Sequence, residues 1–561
     1  MNQMRRRLCF GAILLLLSNA WAGDVERSAA TSSSDPQAPD PAALFPRPKR
    51  ADFKGVATVG DSVCFSFPST LTEDGVRWRT RLFGTCPDSG DGVTVSVSVA
   101  TSEMTAEWTP APEQGYRLDI VASGAHGATV ALAVGGRAGL LYGMQTLCQL
   151  RSMHGKQQVI PTGTVVDWPS IRWRGAKGAA VEFYLPARAN FSMSYIGLLP
   201  SLTEKPEFLP DERNAVGKRL ANIDAEIRRL EGGGNASDDE LDIEDSVTPS
   251  SELRNSNQMQ LDMLRKERTA VVAEQEVLGK RCTELAALHV KQQEDWFVAQ
   301  KAAAERRSQM CHAHAISFNP GGILTMSPEW LGKLEQTVRF WRSIGTEHFL
   351  LSFDDMQTTL APPASEQFKT YAEAQAALLH LLEGWMRDGT APAMRLHFMS
   401  QAYFGQRQYL EKNPYIKQLV AAGIPEGLTL SWTGYGVGSH GMTAEHVSEY
   451  GQVFQRPARF FYHNWPIMDK KTIRASGPMP AHAPGFAAAI DIFMLCSAHD
   501  ASSTLGIMTG LDYAWNAEQY DPDVAMNNAL RTWVQICGIP EAYEPMREIL
   551  RWNRSHGQPP L

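Results

Sequence analysis

The chain has 561 residues, of which 43% are hydrophobic and 20% charged, the make-up of ordinary globular protein with room for several domains. Lys and Arg number 53 against 61 Asp and Glu, a formal charge of -8, with no basic stripe, which argues against a nucleic-acid binder. Eight scattered cysteines without a CxxC are not a disulfide framework, and no cofactor or metal is implied.

Residues 1–22 read as a secretory signal peptide. Arg5, Arg6 and Arg7 form its basic region, Phe10 to Leu17 its apolar core, and Ala20-Trp-Ala22 its cleavage site. The apolar core is too short to span a membrane, so the expected location is secreted or periplasmic. Residues 23–50, with Pro at 36, 39, 41, 46 and 48, form a flexible leader. In an oxidising compartment Cys64 and Cys86, which flank one expected hairpin, are a candidate pair.

Residues 51–170 alternate short β-like runs with turns. The runs are Val93 to Val99, Tyr116 to Val121 and Ala128 to Val134. The stretch from Gly136 to Leu150 has helical apolar spacing, so a small α+β domain is expected. From 171 to 540 apolar strands alternate with amphipathic helices such as Pro328 to Ser343, Glu366 to Arg387 and Ala444 to Phe454. The strand candidates are 179–185, 193–199, 313–319, 348–353, 394–400, 428–432, 459–463 and 490–496, and eight such units predict a (β/α)8 barrel. Residues 541–561 form a C-terminal helix and tail.

Between the second and third strands lies an insertion, about 211–290. Val216, Leu220, Ile223, Ile227 and Leu230 repeat at coiled-coil spacing. After an acidic turn from Gly232 to Asp245, Leu264, Val271, Leu278 and Leu285 recur every seven residues. This predicts an antiparallel helical hairpin that could shape the site, mediate a homodimer or bind a protein partner.

Asp354 and Asp355 end the apolar run from His348 to Phe353, where α/β barrels keep their catalytic groups. Adjacent carboxylates repel as anions, which suits one proton donor beside one anion. By themselves they fit a helix cap equally well.

The motifs, taken in order, resemble a known family. Ala138-Gly-Leu-Leu-Tyr-Gly-Met-Gln-Thr-Leu147, Ile160-Pro161, Val166-Asp-Trp-Pro169 and Trp173-Arg-Gly175 resemble the junction between accessory domain and barrel in bacterial N-acetylhexosaminidases of glycoside hydrolase families 20 and 84. The aspartate pair in Phe353-Asp-Asp-Met356 resembles family 84, the O-GlcNAcase and hyaluronidase-type β-N-acetylglucosaminidases, where family 20 would carry Asp-Glu. Ala315-Ile-Ser-Phe-Asn-Pro-Gly321, Tyr403-Phe-Gly405, Ser431-Trp-Thr-Gly434, His463-Asn-Trp-Pro-Ile-Met-Asp469, Asp512-Tyr-Ala-Trp-Asn516 and Tyr520-Asp-Pro522 follow in family order.

The resemblance implies retaining hydrolysis assisted by the substrate's own 2-acetamido group. By it, Asp354 supports the acetamide and Asp355 is the general acid and base. Tyr403 orients the acetamide oxygen, Tyr462 is an aromatic wall, and Asn464 and Asp469 contact the sugar. It implies a GlcNAc-containing glycan as substrate. The chain departs from the family at strand one, where Val181-Glu-Phe-Tyr-Leu185 lacks two glycines, and after Pro200, where a sugar-contacting lysine is missing. These departures motivate the alternative of a non-catalytic carbohydrate-binding or scaffolding protein on a decayed barrel.

Overall fold

The computed structural model describes residues 40–84, 92–154, 157–177, 185–199, 209–231, 251–356, 359–389, 392–463, 478–496 and 502–556. Residues 1–39, Cys86, the acidic turn and the Val181 to Tyr184 run lie outside these residues, whereas the end of the leader, residues 40–50, is described, with Leu44, Phe45 and Lys49 buried. Cys64 is disulfide-bonded.

The N-terminal part is a mixed seven-stranded sheet. Its strands are β1 (Arg50–Val59), β2 (Ser62–Ser66), β3 (Gly92–Val99), β4 (Tyr116–Ala122), β5 (Ala128–Val134), β6 (Ser152–His154) and β7 (Gln157–Asp167). They run in the order β1-β7-β4-β5-β3-β2, with β6 on β7. In β3 and β5 alternate residues are buried, the period-two signature of a sheet with one covered face. Helix Arg137–Leu150 is buried over most of its length. Gly139 and Gly143 let it approach the sheet: a Cβ on Gly139 would sit 2.2 Å from the Gly115 carbonyl oxygen, and one on Gly143 2.7 Å from Leu132.

A closed eight-stranded parallel barrel follows. Its strands are β8 (Trp173–Lys177), β9 (Phe191–Ile196), β10 (Ala313–Phe318), β12 (His348–Ser352), β14 (Arg395–Met399), β15 (Thr429–Trp432), β16 (Phe460–His463) and β17 (Ile492–Leu495). Two short strands, β11 (Ile323–Leu324) and β13 (Thr359–Leu360), pair outside it. The first strand thus lies earlier than the 179–185 expected from sequence. Trp173 and Gly175 alternate inward and Arg174 is buried on the other face, so a charged residue hides a strand that the apolar Val181 to Leu185 run imitates. The second strand is Phe191–Ile196 rather than 193–199, a shift of the kind expected at strand ends.

The barrel interior is filled by side chains, not open. Trp173, Phe191, Met193, Ala313, Ala315, Leu350, Met399, Phe460, Tyr462, Ile492 and Met494 pack together inside it. The outward set, including Phe349, Leu351, Phe353, Phe398, Phe461 and Phe493, packs with the surrounding helices. Helix Tyr371–Arg387 starts with a full capping box at Thr370 and Glu373, which satisfies otherwise orphaned amides.

The N-terminal sheet and the barrel are joined by a buried polar network. Asp167 accepts hydrogen bonds from the Lys49 backbone (3.0 Å), Tyr116 Oη (2.8 Å) and Trp515 Nε1 (2.9 Å), and pairs with Arg188 at 2.5 Å. The Arg188 guanidinium lies 4.2 Å from the Trp515 ring centre. Arg174 donates to Gln114 Oε1 and to the Ile171 and Arg188 carbonyls.

The insertion forms a separate compact unit, Pro200–Ala302. Within it, helix Pro210–Glu231 packs through Val216, Ile223 and Ile227 on Leu261 and Val271 of helix Ser251–Gln309. The pairs Arg219–Glu274, Arg268–Asp224 and Arg265–Glu231 ascend one helix and descend the other, so the two are antiparallel. Leu285, expected on the seam, is not part of this cluster.

Candidate active site

The site sits where β12 leaves the barrel. His348, Leu350 and Ser352 alternate inward while Phe349, Leu351 and Phe353 face the helices. Asp354 continues the inward parity. Strict alternation would turn Asp355 outward with Phe353. Asp355 instead has φ of 57°, a left-handed conformation that aspartate tolerates better than most residues. That turn brings both carboxylates of an adjacent pair to the barrel mouth.

Each carboxylate has a hydroxyl partner. The Ser352 Oγ–H donates to Asp354 Oδ1. Tyr403, past the end of β14, donates its Oη–H to Asp355 Oδ1 at 2.9 Å. Burial, the bond to Asp355 and the charges of Asp355 and Asp354 push the Tyr403 phenol well up, so it stays a proton-bearing donor. Backbone ties fix its loop. Thr433 N–H donates to the Tyr403 carbonyl (3.0 Å), Gly405 N–H to Gly434 (3.0 Å), and Gln401 Nε2 to Met356 (3.1 Å). The motifs Tyr403-Phe-Gly405 and Ser431-Trp-Thr-Gly434 are therefore two halves of one clasp.

A second group lines the interior at the same end. Lys177 Nζ lies 3.7 Å from the Tyr195 ring centre. Tyr195 Oη is 3.3 Å from Tyr462 Oη, which donates to Cys496 Sγ at 3.3 Å. Burial raises the Cys496 thiol, the Tyr462 bond and Lys177 lower it, and Asp354 raises it, so Lys177 and Asp354 both act on this thiol. Tyr462 is buried within the barrel's interior cluster, and burial drives its phenol well up.

Asp354, Asp355, Tyr403 and Tyr462 are thus all at or below one barrel mouth. Asn464 and Asp469 lie outside the described residues. Sequence reasoning did not single out Ser352, Lys177, Tyr195 or Cys496. The inward alternation of β8, β9, β12 and β17 was the signal that could have found them. The Asp512-Tyr-Ala-Trp-Asn516 motif serves the domain junction instead: Asp512 accepts the Arg47 N–H at 2.9 Å and Trp515 binds Asp167. Among the described residues no cluster of three or more His, Cys, Asp or Glu is arranged to hold a metal ion.

A parallel barrel with two carboxylates at the C-terminal mouth is the architecture of many glycoside hydrolases. Residues 298–551 match the family model described as beta-N-acetylglucosaminidase, and residues 42–168 match that of glycosyl hydrolase family 20, domain 2. A beta-hexosaminidase of Akkermansia muciniphila is 41% identical over 73 residues, which is 13% of this chain and 14% of that relative. The solved structure of CpGH84B aligns with a TM-score of 0.57 at 14% identity, covering 90% of this chain and 76% of that one. That of CpGH84D aligns at 0.52 and 14% identity, covering 90% and 74%. The barrel region thus carries the match to the beta-N-acetylglucosaminidase model and shares its fold with these two structures, and the sheet domain before it carries the match to glycosyl hydrolase family 20, domain 2.

Proposed function

We propose that the chain is a retaining β-N-acetylhexosaminidase acting on GlcNAc-containing glycans with substrate-assisted catalysis. The observation that carries this reading is the pair of neighbouring carboxylates turned to one mouth, each held by its own hydroxyl. In the first step the substrate's acetamide oxygen bonds to the anomeric carbon as the glycosidic C–O bond breaks, and Asp355 protonates the leaving oxygen. Asp354 accepts the acetamide N–H and balances the positive charge that develops on the oxazolinium. Water then attacks the anomeric carbon, Asp355 takes its proton, and the acetamide is released with configuration retained. Tyr403 is positioned to hand its hydrogen bond from Asp355 to the arriving acetamide oxygen. Tyr462 supports the pocket from below, and Asn464 and Asp469 are assigned to sugar contacts.

The assay is hydrolysis of an aryl N-acetyl-β-glucosaminide by the purified protein and its Asp355→Asn variant. Asn adopts the left-handed backbone readily, so the substitution removes the acid without disturbing the turn. The expected loss in kcat is about 100-fold to 10,000-fold, with a normal melting curve. A wild-type-like rate in the variant overturns the mechanism, and no turnover by either protein favours a binding scaffold.

Export to a secreted or periplasmic location is part of the proposal, supported by the 1–22 leader and the disulfide at Cys64. The coiled-coil hairpin is assigned as a contact surface for a second copy or a protein partner. No described helix is long and apolar enough to cross a membrane.

A further inference from the structure

We propose that Ser352 is the positioning residue of Asp354, locking that carboxylate in the orientation that the acetamide requires. The inference rests on the hydrolase reading and adds to it a residue that no motif marks.

The geometry is local and specific. Ser352 is the last residue of β12, and Asp354 follows two positions on, so both share the inward face. Ser352 is 2% exposed, which leaves little room for water to compete for its hydroxyl. Its Oγ–H donates to Oδ1 of Asp354, and hydrogen bonds to an ionised acceptor are about twice as strong as neutral ones. A carboxylate after the end of a strand has free torsions about Cα–Cβ and Cβ–Cγ. A buried donor anchored on the strand removes that freedom. Among the described residues Oδ2 of Asp354 has no hydrogen-bond partner, and it is the oxygen offered to the acetamide N–H. Several other groups act near Asp354: Asp355 and Tyr403 beside it, Lys177 from β8, and Tyr462 and Cys496 from β16 and β17. Of the groups near Asp354, Ser352 is the one on β12, and it supplies a directed hydrogen bond to Asp354.

The test compares wild type, Ser352→Ala, Ser352→Thr, Asp354→Asn and the Ser352→Ala/Asp354→Asn double variant on an aryl N-acetyl-β-glucosaminide. Melting curves check folding. Ser352→Ala is expected to lower kcat by about tenfold to a hundredfold, the span of a lost hydrogen bond to a charged group, with KM nearly unchanged. Ser352→Thr keeps the hydroxyl and should recover most of the rate. In the Asp354→Asn background the serine change should cost almost nothing, because its partner charge is gone. A loss from Ser352→Ala that persists at full size in that background marks a merely structural residue and overturns the proposal. So does a wild-type-like Ser352→Ala. Absence of wild-type turnover overturns the hydrolase reading itself, and this inference with it.

Discussion

At the residue scale the site depends on one backbone angle and two hydroxyls. The left-handed Asp355 is what lets adjacent carboxylates share one barrel mouth, since extended backbone would send them to opposite faces. Tyr403 then fixes Asp355 from across the mouth. Tyr403→Phe removes the hydrogen bond to Asp355 and fills nearly the same volume. It is expected to reduce kcat about tenfold to a hundredfold while leaving the melting temperature within a few degrees, as steady-state kinetics beside calorimetry would show. Wild-type kcat in this variant would remove Tyr403 from the mechanism. Sequence singled out the aspartates and Tyr403 because they sit in short ordered motifs at strand ends, and the structure brings them together at one mouth. It could not reveal the left-handed turn, because aspartate is common in many conformations. Nor could it reveal Ser352 or Lys177, whose places at the mouth come from facing inward on strands whose register only the closed barrel fixes.

At the scale of elements, the junction between sheet and barrel shows what local sequence hides. The Val166-Asp-Trp-Pro169 and Trp173-Arg-Gly175 motifs mark a boundary in the sequence. Their partners Arg188 and Trp515 come from elsewhere, Trp515 being 348 positions beyond Asp167. The strand bearing Arg174 was missed for the same reason: a buried arginine interrupts the apolar pattern that announces a strand, and only its hydrogen-bond partners explain it. Asp167 and Arg188 are fully buried and mutually compensating. Asp167→Ala strands the guanidinium against Trp515 and Tyr116 and leaves the Lys49 amide without an acceptor. Breaking such a pair costs about 3–5 kcal/mol, so chemical denaturation should show a free energy of unfolding lower by about that much. Changing both residues together should cost less than the sum of the single changes, since no lone charge is then buried. The hairpin was the easier element to read, because heptad spacing is a property of neighbouring residues alone. Even there Leu261 rather than Leu285 joins the seam, because a 22-residue helix covers only part of a 59-residue one.

At the scale of the whole molecule, titration links these parts to pH. His312, His397 and His482 are held down to about 3 chiefly by burial, and His314, His348 and His463 lie well below their usual 6.5 for the same reason. A base whose folded value is depressed stabilises the fold above its unfolded value. That stability is lost as pH falls below 6.5, because the unfolded chain then binds protons that the folded chain refuses. Asp512 runs the other way. Burial raises it from 3.8 to about 7, outweighing the Arg47 amide and the Arg188 and Arg47 charges that lower it. Its contribution is complete below 3.8 and is lost as pH rises through 7, where the folded chain must bury an anion. The six histidines outnumber the one aspartate, so melting temperature should fall steadily as pH drops from 6.5 towards 4. Asp512→Asn keeps an acceptor for the Arg47 N–H and has no charge to bury. The variant should match wild type near pH 4 and exceed it increasingly up to pH 8, by at most about 4 kcal/mol for a shift of this size. Melting curves for both proteins between pH 4 and 8 check the sign: a variant that is less stable at pH 8 than wild type would mean that Asp512 is held as an anion by Arg47 and Arg188, and that the junction between sheet and barrel is a charge-paired seam throughout.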